Sequence, residues 1–188
     1  FGPLSDEERE RPDFWRFWRT LPPKGKSGIF FGSWYTRPII ESVYGKTPGA
    51  ELAEALQRIN TFERELADDG ALILKFWFHL AKKDQKKRLK SLERDPDKRW
   101  RVSPEDWKHF KLYDKFYKVC TRALRATSTG HAPWTIVEGY DARYRYATVG
   151  QHICEQVGKR LAGSQPPPSK THVIMPSAKA GPAQKTIL

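Results

Sequence analysis

Cysteine and methionine are scarce: the 188 residues include two cysteines, Cys120 and Cys154, and one methionine, Met175. The cysteines form neither a C-x-x-C pair nor the dense framework of a small secreted domain. No stretch approaches the ~18 consecutive apolar residues of a spanning helix, and the acidic start has no apolar core typical of a signal peptide. These absences predict a soluble protein of a reducing compartment, the cytoplasm, with no membrane partner.

Charge and apolar content place the chain among folded domains. There are 34 Lys and Arg against 22 Asp and Glu, a net charge of +12, and 38% of the residues are hydrophobic. That apolar fraction is sufficient for a core, which excludes disorder as the main state, and the length suits one domain over residues 1–162. Residues 163–188 are rich in Pro, Gly, Ser and Ala and predict an extended linker. With a start at Phe1 and not Met, this predicts a piece of a longer chain, with a second domain beyond the linker.

Hydrophobic periodicity predicts alternating helices and strands. Residues 71–78 are apolar at nearly every position, as in a parallel strand that is covered on both faces. Caps and apolar spacing predict helices at residues 13–19, 47–69, 82–94, 103–125 and 141–161, and strands at 29–31, 71–78 and 134–137. The order predicts a three-layer α/β fold with a parallel sheet, in which ligands bind beyond the carboxyl ends of the strands.

Half of the excess charge lies in residues 82–101, here called the basic segment. It holds ten basic and four acidic residues, net +6, and directly follows the central strand. One interpretation is a mobile basic lid over a polyanion, whose binding would depend steeply on salt. The other is an ordinary solvated helix face.

A second candidate for anion binding follows the first predicted strand. Arg37 stands there, and its guanidinium could hold two phosphate oxygens at once. The alternative is that Arg37 pairs with Glu41, one helical turn further on.

Other familiar motifs fail on spacing. Gly25-Lys26-Ser27 imitates the end of a phosphate-binding Walker A loop, but Thr20 stands where that pattern needs glycine. The five histidines have no metal-ligand spacing, and no catalytic triad can be assembled from the sequence.

Five blocks of sequence, in order and over about residues 10–162, resemble the polyphosphate kinase 2 family. The blocks are residues 28–37, 59–66, 69–79, 95–100 and 131–134. The resemblance implies a P-loop-kinase-like α/β/α domain that moves phosphoryl groups between inorganic polyphosphate and a nucleotide, AMP or ADP, with magnesium. Such transfer relies on positioning and charge neutralisation, for which cationic side chains are suited.

The resemblance also implies roles for individual residues. Arg37 matches the arginine that closes the family's Walker B block, and Lys75 matches the lysine of its central strand, which makes both catalytic candidates. The residues implied to face the polyphosphate chain are Lys86, Lys87, Arg88, Lys98 and Arg99.

The chain departs from the family pattern at two places. The Walker A part is expected upstream of Phe1, so the domain is expected to be incomplete at its N-terminus. Phe31 and Gly32 stand at the Asp and Arg positions of the Walker B block. A phenyl ring cannot ligate magnesium, so no metal ligand is expected here and the ion would be held mainly by residues outside this segment.

These departures resemble one branch of the family, the tandem polyphosphate:AMP phosphotransferases with a degenerate first domain. This domain would then be a structural or polyphosphate-binding half. Two alternatives stay open: a competent kinase domain once completed upstream, and a nucleic-acid-binding module. A homo-oligomer also stays open.

Overall fold

The structure is a computed structural model that describes residues 1–2 and 4–163 and the backbone of residues 173–174. The chain divides into two compact units, residues 1–59 and residues 60–188. The elements in chain order are α1 (Asp6–Arg9), α2 (Trp15–Trp18), α3 (Thr36–Val43), α4 (Gly49–Asp68), β1 (Lys75–His79), α5 (Lys82–Arg94), a 3₁₀ helix (Arg99–Arg101), α6 (Pro104–Lys111), α7 (Tyr113–Thr127), β2 (Trp134–Glu138), α8 (Ala142–Leu161) and β3 (Val173–Ile174).

The first unit is held by aromatic contacts. The Phe1 ring meets the Phe17 ring edge to face, with centroids 4.7 Å apart, and stacks on Phe30 at 5.7 Å. Trp34 closes the group against Phe17 at 5.6 Å. Edge-to-face and offset pairs at these distances add to the stabilisation that burial provides.

The predicted strand at residues 29–31 is wrong. These residues adopt no strand, and Ile29 and Phe31 are 85% and 84% exposed. Phe30 alone turns inward, against Phe1 and Trp34. Three apolar residues form a strand only where a neighbouring strand accepts their backbone hydrogen bonds, and none pairs with them among the described residues.

The second unit contains a parallel sheet in the order β1-β2-β3. Lys75 lies opposite Trp134 at one end of the β1 and β2 pair, and His79 lies opposite Glu138 at the other. The parallel sheet, the α/β class and the 134–138 strand agree with the sequence prediction. The predicted strand 71–78 is shorter than expected, since it begins at Lys75, and the half-exposed Phe78 shows that its cover is incomplete.

A regular feature lies within the predicted linker. Residues 173–174 form β3, which pairs parallel with Ile136 and Val137 of β2. This short strand lies within the range in which the sequence predicts an extended linker, and the linker stays a prediction. The other residues from 164 onward lie outside the described part of the chain.

One predicted helix is divided in two. The signal at residues 103–106 is confirmed: Ser103 caps α6 in a reciprocal box with Asp106, and Pro104 stands in the first turn. A hydrogen bond from the Ser103 backbone amide, and a second from its hydroxyl, lower the pKa of Asp106. The helix ends at Lys111, and α7 starts after Leu112 and continues to Thr127.

The strands of the parallel sheet all begin at one end of the sheet and finish at the other. After β1 the chain passes through α5, α6 and α7 before it returns as β2, and α8 follows β2. The carboxyl edge is the end of the sheet where β1 finishes at His79 and β2 at Glu138. Among the described residues, no helix has the length and apolar content needed to cross a bilayer.

Candidate functional site

The carboxyl edge is built around a close approach of the two strand ends. The amide of Gly139 donates to the carbonyl of His79 at 2.7 Å. A Cβ at position 139 would lie 2.8 Å from that same oxygen, closer than real Cβ contacts allow. Glycine is therefore required for the strand ends to remain paired where the loops leave the sheet.

The loop after β2 is fixed by hydrogen bonds to its backbone. A carboxylate oxygen of Glu138 accepts from the Tyr140 amide at 2.6 Å, and Asp141 caps α8 by accepting from the Tyr144 amide at 2.8 Å. Arg145, in the first turn of α8, donates from Nη1 to the Gly139 carbonyl at 2.6 Å. A guanidinium thus lies at the carboxyl edge on a rigid support.

The loop after β1 is tied to α7. The Tyr113 hydroxyl donates to the Leu80 carbonyl at 2.9 Å, and burial raises the pKa of Tyr113, so the hydroxyl keeps its proton. Lys82, the first residue of α5, forms an ion pair with Asp114. These contacts fix the point at which the basic segment leaves the sheet.

Lys87 joins the basic segment to the β2–α8 loop. Its Nζ lies 3.3 Å from the Tyr140 hydroxyl and 5.8 Å from the centroid of that ring. This contact holds the middle of α5 beside the carboxyl edge. The sequence prediction that the basic segment lies at this end of the sheet agrees with the contact.

The neighbouring cations of α5 face solvent. Lys86 and Arg88 are exposed, and within the described part of the chain neither forms an ion pair. Leu89 is the buried residue of α5 and anchors the helix. Three consecutive cations are thus presented on a helix whose apolar side is packed.

Lys98 and Arg99 follow α5 in a tight turn, and both are exposed. Lys98 pairs with Asp95, and this hydrogen bond lowers the pKa of the Asp95 carboxyl. The Arg99 amide donates to the Asp95 carbonyl at 2.9 Å. Asp95 therefore orders the turn that carries the second group of predicted polyphosphate-binding residues.

Lys75 lies apart from these cations, at the amino end of β1. Its Nζ is 2.7 Å from a carboxylate oxygen of Glu63 and 2.7 Å from the Thr127 carbonyl. The side chains of Lys75 and Glu63 are 5% and 0% exposed. The environment favours a structural role, and the catalytic role implied for Lys75 stays a prediction.

The surroundings of Lys75 are closed by Trp134. The ammonium lies 5.0 Å from the centroid of that ring, whose Nε1 donates to the Thr127 hydroxyl at 2.9 Å. Burial lowers the pKa of Lys75, and the carboxylate of Glu63 offsets part of that effect. The ammonium thus takes part in a buried network that joins α4, α7 and both long strands.

Arg37 belongs to the other unit. It lies on α3, where its Nε is 3.0 Å from Glu41 and its Nη1 is 3.9 Å from Asp13. The alternative pairing with Glu41 is therefore present. The side chain is 57% exposed, so two exposed ion pairs do not prevent it from contacting a ligand, and its catalytic role stays a prediction.

Sequence reasoning missed two residues of the carboxyl edge, Tyr140 and Arg145, and named Lys82 only as a member of the basic segment. Tyr140 contacts Lys87, 53 residues away in sequence, and Arg145 binds the Gly139 carbonyl within the loop that follows β2. The signal that was available is positional: Tyr140 and Arg145 lie within eight residues of the end of the strand predicted at residues 134–137. Such positions line the ligand-binding end of an α/β sheet.

The donor set does not fit a magnesium site. Phe31 offers no oxygen, and Glu138 and Asp141 accept hydrogen bonds from backbone amides. Among the described residues, no three His, Cys, Asp or Glu side chains come together as metal ligands. Polyphosphate kinase 2 enzymes are generally dependent on a divalent metal ion, and these residues do not supply its site.

A parallel sheet with helical connections and a cationic carboxyl edge is the α/β arrangement of P-loop-like kinases. The chain belongs to the polyphosphate kinase 2 family, whose model matches residues 2–164. The crystal structure of polyphosphate kinase 2 from Arthrobacter aurescens TC1 superposes with a TM-score of 0.82 at 30% identity, covering 93% of this chain and 60% of that one.

Two curated relatives are named as polyphosphate phosphotransferases. A polyphosphate:AMP phosphotransferase of Pseudomonas aeruginosa is 52% identical over 84% of this chain. An AMP/ADP-polyphosphate phosphotransferase of Meiothermus ruber is 33% identical over 89% of it. The chain spans 32% of the length of the first relative and 62% of the second.

Proposed function

We propose that this chain is part of a phosphotransferase that moves phosphoryl groups between inorganic polyphosphate and a nucleotide, AMP or ADP. Family membership supports the reaction class, and the names of the relatives support polyphosphate as one substrate. A linear polyanion is complementary to a segment with ten cations among 20 residues.

The contact between Lys87 and Tyr140 carries the proposal. It joins α5 to the loop that follows β2, at the end of the sheet where ligands of α/β proteins bind. A basic helix packed at the opposite edge could not deliver phosphates to that position. The exposed side chains of Lys86 and Arg88 are available for phosphate contacts beside it.

We further propose that this domain binds polyphosphate and does not itself catalyse transfer. Phe31 and Gly32 replace the acid and the cation that the family carries in its Walker B block, and Gly32 has a φ of +68°, which L side chains rarely adopt. Magnesium would then be held mainly by residues outside this segment. The second homologous domain and the homo-oligomer stay predictions.

Equilibrium binding of long-chain polyphosphate to the 188-residue chain tests the proposal. The test variant replaces Lys86, Lys87 and Arg88 by Ala. The matched control replaces three other exposed cations, Arg64, Arg125 and Lys159, which lie near the C-terminal ends of α4, α7 and α8. Strands begin after those helix ends, so the control removes the same charge from the opposite edge of the sheet.

We expect the test variant to bind polyphosphate more weakly than the control. Its slope of log Kd against log salt should fall by about 2, at ~0.7 per lost phosphate contact. Equal losses in both variants would show that only net charge matters. Displacement of polyphosphate by single-stranded DNA at equal phosphate concentration would favour the nucleic-acid-binding alternative.

A second assay addresses catalysis. The wild-type chain, given AMP, long-chain polyphosphate and magnesium, is expected to form no ADP. Measurable ADP formation would overturn the proposal that this domain only binds polyphosphate.

A further inference from the structure

Trp100 is the feature of the basic segment that polyphosphate binding leaves unexplained. It lies in the 3₁₀ helix Arg99–Arg101, and its side chain is 80% exposed. An exposed indole ring does not help to bind phosphate, because phosphate groups are bound through ionic contacts and hydrogen bonds. A single exposed apolar residue is ordinary, so the argument depends on how this ring is held and what surrounds it.

The ring is tethered to its own turn. The indole Nε1 donates to the Asp97 carbonyl at 2.9 Å, and the Asp97 amide donates to Asp95 Oδ1 at 3.1 Å. Asp95 in turn pairs with Lys98. The orientation of the indole is therefore fixed before any ligand arrives, which reduces the entropy lost on binding.

The faces of the Trp100 ring are open, unlike those of other exposed aromatic residues in this unit. Lys87 lies against Tyr140, and the Arg145 guanidinium lies 5.2 Å from the centroid of Tyr146. Within residues 4–163, no cation or second ring lies against Trp100. A planar ligand could therefore stack on it without displacing a side chain.

Cations flank the open ring in the sequence. Lys98, Arg99 and Arg101 are all exposed and lie within two residues of Trp100. The site thus combines one aromatic face with a group of positive charges. The complementary ligand has one planar π system and a phosphate group, which describes a nucleotide.

We propose that Trp100 stacks on the base of the nucleotide while Lys98, Arg99 and Arg101 contact its phosphate. The inference rests on the proposed function in taking the ligand to be that reaction's nucleotide. A mononucleotide is favoured over a nucleic-acid strand because one ring accommodates one base, whereas strand-binding surfaces stack successive bases on several rings.

Titration calorimetry with AMP and with ribose 5-phosphate separates the base from the phosphate. The test variant is Trp100→Leu, and Trp18→Leu is the matched control, because Trp18 is also exposed and lies in the other unit. Trp100→Phe retains a stacking face. Thermal unfolding of each variant checks that the fold is intact.

We expect Trp100→Leu to weaken AMP binding about tenfold, which is typical of the loss of one base–aromatic stack. Ribose 5-phosphate should bind the wild type and this variant equally, Trp100→Phe should retain most of the AMP affinity, and Trp18→Leu should match the wild type. Unchanged AMP binding in Trp100→Leu would overturn the inference, as would absence of AMP binding to the wild type.

Polyphosphate binding distinguishes failure of this inference from failure of the proposed function. If the wild type binds long-chain polyphosphate through α5 and AMP affinity is unchanged in Trp100→Leu, only the inference fails. If polyphosphate does not bind, the proposed function itself fails. Oligo-dA binding far tighter than AMP binding, and lost in Trp100→Leu, would assign the ring to nucleic acid and overturn the nucleotide proposal.

Discussion

The ammonium of Lys75 lies 2.7 Å from a carboxylate oxygen of Glu63, and the two side chains are buried from solvent. The pair joins the end of α4 to the start of β1. Burial removes both groups from water, and their mutual attraction compensates for that loss only while both are present. The pair is therefore a point at which the stability of the second unit can be tested.

Replacing only one residue of this pair should lower the free energy of unfolding strongly, whereas replacing both by apolar residues should lower it much less. Lys75→Met removes the ammonium from beside the buried carboxylate of Glu63 and is expected to lower the free energy of unfolding by about 3–5 kcal/mol. The double variant Lys75→Met/Glu63→Leu should recover most of that loss. Urea unfolding of the two variants measures both, and a double variant no more stable than the single one would contradict the expectation.

The same pair predicts a pH dependence. Burial lowers the pKa of Lys75, so between its folded and unfolded pKa values the unfolded chain binds more protons. The free energy of unfolding should therefore rise with pH through that interval. Below the interval, Lys75 is protonated in both states and adds no pH dependence. The wild type should gain stability relative to Lys75→Met/Glu63→Leu when urea unfolding is repeated from pH 7 towards the ordinary pKa of lysine. A constant difference would show that Lys75 does not titrate in this range.

Local signals in the sequence predicted local structure well. The cap at Ser103, the C-terminal part of the strand predicted at residues 71–78 and the basic helix at residues 82–94 depend on neighbours a few residues away. The predicted strand at residues 29–31 failed because a strand depends on a partner, which three apolar residues cannot specify.

The candidate site likewise combines features that the sequence predicts with contacts that depend on distant residues. The position of the basic segment after a buried strand could be read from the sequence, but the environment of Lys75 could not. Its partners Glu63 and Thr127 lie 12 and 52 residues away in sequence. Likewise, only the folded chain brings Lys87 to Tyr140, 53 residues further on.

Gly139 should be the least replaceable glycine of the carboxyl edge. Gly139→Ala places a Cβ 2.8 Å from the His79 carbonyl oxygen, so the strand ends must separate, at a cost of about 1–3 kcal/mol. Gly150→Ala is the control, because it lies in α8 with open space at its Cβ position and should stabilise by about 0.5–1 kcal/mol. Thermal or urea unfolding compares them, and equal effects would mean that the close approach at Gly139 is not constraining.

Phe31 offers a final test of the departure from the family pattern. Because its side chain is 84% exposed, Phe31→Asp should change the free energy of unfolding by no more than about 0.5 kcal/mol. One restored carboxylate does not make a magnesium site, since the ion needs further oxygen ligands and no group of three candidate ligands exists among the described residues. We therefore expect Phe31→Asp to form no ADP from AMP, polyphosphate and magnesium, with Phe31→Asn as the uncharged control. Turnover that appears in Phe31→Asp and is absent in Phe31→Asn would show that a single substitution had disabled an otherwise complete catalytic domain.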